Sequence, residues 1–466
     1  MIFRTTRAGH RAGCMIALAL ALAPSTSSAQ QAIPGQLPTD LPQRPTGAVF
    51  GGYRQPQRDI LALTTETYGG YDQELQGPPG GSGFGAVRTG AFAGLDAALN
   101  YSPTQSTSFD FNARGFSSLR LYTQPTEFIP ANSNADVSAS YRLSRRATLQ
   151  GRGGFMYTPY FDFPVVEELP LPGVITPVPI RVRDRSVSPR RVGTYDGGAD
   201  LSYGVTNSVA VGTSYGIRRT DVIQELSDEP LGAQRAAIDT TIAGRVDIRF
   251  NRRTNSRIAY LHREGQYDAG LTLRPVRVND LQFSVDRDWA RTPTRRTAMS
   301  FMIGPSRVEQ DGRETTRASA GVSLTHTFAR SWDFRASYRR GLTFLDTAPA
   351  PIPSNSYTVN LDGLATRRLQ ISLGVAAILG EVGLDASSSA YDSYAGSARV
   401  RYALAPQLAV YGEYVYQSLA YSDRSVELAP GQDRAGVRAG VAWYVPLKQE
   451  STRPERPGAR RSTQRP

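Results

Sequence analysis

The chain has 466 residues, a hydrophobic fraction of 40% and a mean hydropathy of −0.35. Beyond the N-terminus no apolar run reaches the ~20 residues that a spanning helix needs, which excludes a bundle of membrane helices but not a barrel, whose strands hide a lipid face in alternation. The net charge of +12 is unevenly placed, with Arg4, Arg7 and Arg11 at the start and six cations against two anions in residues 447–466; with no basic helix and no aromatic RNA-binding motif, nucleic-acid binding is not expected.

The chain opens "MIFRTTRAGHRAGCMIALALALAPSTSSAQQ". A basic segment, the short apolar run "MIALALALA" and Ser27-Ser28-Ala29 read as a signal peptide over 1–29, cleaved near Gln30. Cys14 is the one cysteine and precedes the apolar run, so the mature chain is expected to lack disulfides and thiolate metal sites. That suits passage through an oxidising periplasm. Residues 30–58, with "IPGQLPTDLPQRPTG", read as a Pro/Gln-rich periplasmic leader without a core.

From Asp59 the texture changes to strands bounded by turn residues. Eighteen are predicted: 59–71, 88–101, 106–116, 134–143, 147–157, 194–205, 208–218, 236–250, 256–267, 277–290, 296–306, 315–328, 331–343, 355–365, 369–380, 391–403, 407–419 and 434–446. The first, within "DILALTTETYGGY", alternates poorly. In "YDGGADLSYGVTNSVAVGTSYGIRR" the odd positions Ala199, Leu201, Tyr203, Val209, Val211, Tyr215 and Ile217 are apolar, and the even ones are small or polar. "IDTTIAGRVDIRF" sets Ile238, Ile242, Val246, Ile248 and Phe250 against Asp239, Thr241, Arg245, Asp247 and Arg249. "SWDFRASYRR" and "LQISLGVAAIL" repeat the device. Successive strand side chains point to opposite faces, so one face is oily and the other wet.

The connections alternate as regularly as the residues. Eight are short, such as "SRR", "TN", "AR", "TRR" and "LAPQ". Nine are longer, around 72–87, 117–133, 158–193, 219–235, 268–276, 307–314, 344–354, 381–390 and 420–433. Short turns at one end, long loops at the other and an even strand count predict an all-β, antiparallel up-and-down transmembrane barrel over 59–446, with both termini on the short-turn, periplasmic side. Phe328, Trp332 and Trp443 are expected at turn-side interfaces, and Tyr157, Tyr160 and Tyr267 at loop-side ones. The longest loop carries Phe161, Phe163, Val165, Val166 and seven prolines, which fits a constriction at the barrel mouth or a covered surface. Residues 447–466 read as a basic, disordered periplasmic tail.

Candidate chemistry is sparse. The mature chain has two histidines, His262 and His326, both in phase with apolar neighbours, and no metal-ligand spacing, phosphate loop or G-x-S-x-G motif. No enzyme activity, cofactor or metal is expected. The inward-phase charges are the better candidates: the pore-lining set is Arg245, Arg249, Asp247, Asp280, Asp286, Arg335, Arg339, Arg399, Arg401 and Arg438. Opposed charges across a narrow, low-dielectric pore can orient polar solutes, or can pair and brace the wall.

The hairpins "VSASYRLSRRATLQGRGGFMYTP", "GVSLTHTFARSWDFRASYRRGLTF" and "GSARVRYALAPQLAVYGEYVYQS" resemble Gram-negative outer-membrane β-barrels, and within them the porin families associated with exopolysaccharide systems. The resemblance implies a cell-outer-membrane location and a channel for polar solutes or a polysaccharide. The alternative is a non-conducting structural or secretion-accessory barrel of an export system. Implied partners are outer-membrane lipid, lipopolysaccharide and the barrel-assembly machinery. Such barrels end on an aromatic residue resembling an assembly signal, whereas here "VAWYVP" is followed by twenty further residues.

Overall fold

The computed structural model describes residues 59–76, 90–103, 108–123, 126–129, 133–160, 187–225, 236–251, 253–268, 273–292, 295–310, 312–328, 331–343, 352–382, 389–421 and 432–449. The expected signal peptide, the leader, residues 161–186 of the longest loop and the tail from 450 lie outside them.

The period-two texture produces nineteen strands. They are β1 (Asp59–Gln76), β2 (Gly90–Tyr101), β3 (Phe109–Thr123), β4 (Thr126–Ile129), β5 (Ser133–Arg142), β6 (Ala147–Tyr160), β7 (Val187–Gly204), β8 (Val209–Glu225), β9 (Ala236–Asn251) and β10 (Thr254–Asp268). There follow β11 (Leu273–Thr292), β12 (Arg295–Gln310), β13 (Arg313–Phe328), β14 (Trp332–Thr343), β15 (Ile352–Leu364), β16 (Leu369–Val382), β17 (Ser389–Ala405), β18 (Leu408–Tyr421) and β19 (Gln432–Gln449). Every pairing is antiparallel between sequence neighbours, with two exceptions. β3 pairs with β5 along Phe109–Ser117 and with the short β4 along Arg120–Thr123, so β4 prolongs one stave rather than adding one. β19 pairs with β1, from Asp59↔Gln449 to Gln76↔Asp433. The wall is thus a closed cylinder of eighteen staves in which the first and last strands pair with each other instead of standing as free edges.

The register keeps one set of side chains inside around the whole circuit. Glu66 opposes Asp96 on β2, Asp96 opposes Ser118 on β3, and Arg245 opposes Gly212 on β8. Exposed large apolar residues such as Leu95, Leu201, Ile217, Ile242, Ile258, Phe283, Ile303 and Val437 occupy the other face.

Glycines create room on the inner wall. Tyr68 opposes Gly94 and Phe92 opposes Gly70. A Cβ on Gly94 or Gly70 would run into the opposing ring, so each ring lies flat across a residue without a side chain. Gly440 does the same for Tyr411, and Gly212 for the Arg245 guanidinium.

Three of the short turns share one local solution. Ser144 Oγ accepts from Arg146 N at 3.2 Å and Ala147 N at 3.0 Å. Thr206 Oγ1 accepts from Ser208 N and Val209 N at 3.1 and 3.0 Å, and Thr366 Oγ1 from Arg368 N and Leu369 N at 3.3 and 3.1 Å. A Ser or Thr hydroxyl that satisfies two turn amides explains why "LSRR", "VTNS" and "ATRR" reverse the chain without glycine or proline.

All eighteen expected strands are present, but most reach further toward the long-loop end than periodicity indicates. β7 starts at Val187, and β1 runs on to Gln76. The expected long loop 117–133 holds the end of β3 and all of β4. Leu447, Lys448 and Gln449, read as tail, belong to β19, with Lys448 and Gln449 opposite Leu61 and Asp59. At these ends ladder hydrogen bonds continue past the apolar belt, where alternation no longer marks them.

Candidate functional site on the inner wall

All ten expected lining residues lie on the inner face. They fall into three groups. Arg399, Arg401 and Arg438 join one ionic cluster, Arg245 and Asp247 a second, and the rest lie elsewhere on the inner wall.

The first cluster spans the seam where the barrel closes. Glu66 of β1 accepts hydrogen bonds from Arg399 Nη2 at 2.7 Å and Arg401 Nη2 at 3.0 Å, both on β17. Two strands, β18 and β19, lie between them, so the side chains bridge roughly 14 Å of wall. Small inner residues permit this: Ala403, Ala409 and Ala442 follow one another across the register to Glu66 itself. Arg438 Nε lies 3.2 Å from Glu413 Oε2, and Arg399 Nη1 lies 3.9 Å from the same oxygen. Rings complete the cluster. The Arg399 guanidinium lies 4.1 Å over Tyr411, that of Arg438 5.4 Å over Tyr68, and that of Arg120 5.1 Å over Phe92. Tyr68 and Phe92 meet edge to face at 6.1 Å, and Tyr68 Oη donates to Asp96 Oδ1 at 2.9 Å. Arg438 is 2% exposed and Glu66 4%. Charges this dry need partners, because an uncompensated buried ion costs several kcal/mol.

The second cluster lies on β7 to β10. Arg245 grips Asp200 in a two-pronged pair, with Nη2 donating to Oδ1 at 2.9 Å and Nη1 to Oδ2. Its Nε donates to Asp247 Oδ2 at 3.3 Å, and Asp247 also takes Arg257 Nε. Nearby, Arg263 Nε donates to both oxygens of Asp239, at 2.9 and 2.8 Å. Planar forks meeting carboxylates in this way hold both groups in one geometry.

Of the remaining expected residues, Asp286 accepts from Ser300 Oγ at 2.5 Å, and Arg335 Nη2 is 3.8 Å from Asp333 Oδ2. Arg339 is buried, and Ser356 Oγ donates to its carbonyl at 3.4 Å. Arg249 shares the inner face with these, and Asp280, opposite Ser306, lies within electrostatic reach of Arg263. Asp280 sits beside an apolar patch of Val276, Val278, Val308 and Leu342.

Both histidines face outward. His262 Nδ1 is 2.8 Å from Asn279 Oδ1, and His326 Nδ1 is 2.8 Å from Thr297 Oγ1. Among the described residues each ring's hydrogen-bond partner is an amide or a hydroxyl oxygen, not a carboxylate that would orient it as a base. Among the described residues no cluster of His, Cys, Asp and Glu could hold a metal ion.

Periodicity found Asp247 but missed the counter-charges of the first cluster. Glu66 sits in the strand whose alternation is weakest, because Tyr68 points inward while Thr65, Thr67 and Gly69 point outward. Glu413 lies in "VYGEYVYQS", where tyrosines occupy both faces and blur the polarity. A usable signal existed in cross-strand phase: Arg399 opposes Glu413, and Glu413 opposes Arg438. Tyr157 belongs to the outer face of β6, whereas the side chains of Tyr160 and Tyr267 are outside the described residues.

No known protein-family model matches the chain, and no curated protein matches it. Solved structures do share its outline. OccK11 (OpdR) of Pseudomonas aeruginosa aligns over 84% of this chain and 99% of its own, with 11% identity and a TM-score of 0.41. OccK2 (OpdF) of Pseudomonas aeruginosa, solved in complex with glucuronate, aligns over 83% of this chain and 98% of its own, with 10% identity and a TM-score of 0.42. OccAB4 of Acinetobacter baumannii gives 12% identity, 84% and 98% coverage, and a TM-score of 0.41. Likeness at this level carries no argument about activity, and the barrel assignment rests on the strand pairing described above.

Proposed function

We propose that the protein is a Gram-negative outer-membrane channel that passes small polar solutes or a polysaccharide chain through a charged lumen. One observation carries the reading: the outer face is zoned along the barrel axis. Next to the short turns it bears exposed aromatics, namely Tyr101, Phe109, Tyr141, Tyr203, Phe250, Tyr402 and Trp443. Stacked Phe328 and Trp332, 6.1 Å apart, flank another short turn. Above these comes a belt of Val, Leu, Ile and Ala. On the outer face of β13 it comprises Ala318, Ala320, Val322 and Leu324, and with His326 and Phe328 at its turn-side border the stretch 318–328 covers roughly 25 Å along the axis at a strand tilt of about 40°. Toward the long loops the same face turns ionic, with the ion pairs Arg277–Glu309 and Arg307–Glu314. In water such a belt would be an aggregation surface, whereas in a bilayer it matches the hydrocarbon band. Closure supports the same reading, since lipid offers no partners for open backbone groups.

A lumen lined by charges stays wet. Its paired arginines and carboxylates present alternating signs to a passing polar molecule. The polysaccharide cargo and the link to an export system rest on the hairpin resemblance. The dense pairing around Glu66 also suits a braced, non-conducting accessory barrel. Planar-bilayer recording of the purified full chain separates the two. A channel gives stable stepwise conductance, and Asp200→Asn, by releasing the Arg245 cation, shifts the reversal potential in a salt gradient toward anions. Silence from a correctly folded, inserted barrel overturns the channel and favours the accessory role.

A further inference from the structure

The two ends of the barrel differ in charge. The eight short connections contain nine arginines and no acid, in "SRR", "NRRTN", "RTPTR", "AR" and "TRR". The nine long segments expected from the sequence, which take in several strand ends, contain 21 acids against 12 arginines. Arg145, Arg146, Arg253 and Arg368 are exposed at the short-turn rim. All three tryptophans of the chain, Trp289, Trp332 and Trp443, sit on the outer face at this same end.

The features converge most closely between the β9–β10 and β11–β12 turns. Arg287 is exposed on the outer face of β11, with its guanidinium 5.1 Å over the Trp289 ring. It opposes Thr254, the residue after Arg253. Asp288 N donates to the Arg253 carbonyl at 2.8 Å, which ties the β9–β10 turn to β11. Asp286 and Asp288 point to the inner face, so the wall separates them from Arg287. Among the described residues, the one side-chain partner of Arg287 is the tryptophan ring. Phe250, 67% exposed, projects beside the same turn.

We propose that this rim binds anionic phospholipid headgroups of the leaflet around the short turns, with Arg253, Arg287 and Trp289 as its centre. The inference rests on the membrane reading above. A phosphodiester takes two donors from a planar guanidinium, and an indole at the headgroup level fixes the depth. Residues outside the lumen serve here, so the site is separate from whatever passes through the pore. It orients the barrel by lipid charge, since the opposite rim carries net negative charge.

The tryptophans supply the readout. The full chain is reconstituted in phosphatidylcholine vesicles carrying either brominated phosphatidylcholine or brominated phosphatidylglycerol, and quenching of tryptophan fluorescence is measured. The expected result is a preference for the glycerol lipid on the order of fivefold at low salt. It should fall toward one at high salt and toward one in Arg253→Gln/Arg287→Gln. Arg219→Gln, at the long-loop end and 59% exposed, should keep the wild-type preference. Equal quenching by both lipids in the wild type overturns the headgroup site while leaving the membrane reading intact. No quenching by either lipid overturns the membrane reading itself.

Discussion

Glu66 and Arg399 lie 333 positions apart in the chain and form a hydrogen-bonded ion pair of 2.7 Å on the inner wall. The pair crosses the seam at which β19 meets β1, so it joins the first strand to β17 over the two strands between them. Ladder hydrogen bonds close the cylinder, and this side-chain bridge clamps the closure from within.

That arrangement predicts a large effect from one isosteric change. Glu66→Gln leaves Arg399 and Arg401 buried with diminished counter-charge, and should destabilise the barrel by about 3–5 kcal/mol. The urea midpoint in detergent, or the temperature at which the folded band is lost in gel electrophoresis, should drop accordingly. Adding Arg399→Gln should restore part of the loss, since the pair acts as a unit. An unchanged midpoint for Glu66→Gln would mean that water reaches the cluster and solvates both charges.

The glycines divide into two kinds, and alanine scanning should separate them. At Gly94 and Gly440 an added methyl group meets the Tyr68 or Tyr411 ring and nearby backbone, so alanine should cost about 1–3 kcal/mol through forced rotamer changes. Gly244 and Gly412 have nothing within 4 Å of such a methyl group. Alanine there should be neutral, or stabilise by up to about 1 kcal/mol by restricting the unfolded chain. Equal costs at all four sites would refute the ring-over-glycine account.

Outer-face charges should be penalised by depth. Ile242, 49% exposed, lies within the apolar belt, and Ile242→Lys should cost about 2–4 kcal/mol of folding free energy in a bilayer. Thr316, opposite Arg307 near the long-loop end, is beyond the belt, and Thr316→Lys should cost no more than about 1 kcal/mol. Reversible folding into lipid vesicles measures both.

Much of this architecture is written locally. Alternation in "VGTSYGI" or "IDTTIAGRVDIRF" assigns each side chain to a face, because neighbouring side chains on a strand point opposite ways whatever the partner strand is. The same logic puts Arg245, Arg399 and Arg438 inside. It falters where composition stops tracking face. β1 carries Tyr68 inward, β18 carries tyrosines on both sides, and β4 is four residues long.

The eighteen staves, most of the faces and the two unlike ends were therefore legible in the sequence alone, since each depends on residues adjacent in the chain. Which charge meets which was decided only by the closed tertiary structure. Glu66 finds Arg399 because the cylinder brings the first stave beside the last ones and because alanines and glycines clear the wall between them. The small residues are visible in their own strands, but their alignment into one cleared row is not, since lateral register and closure are properties of the whole ring.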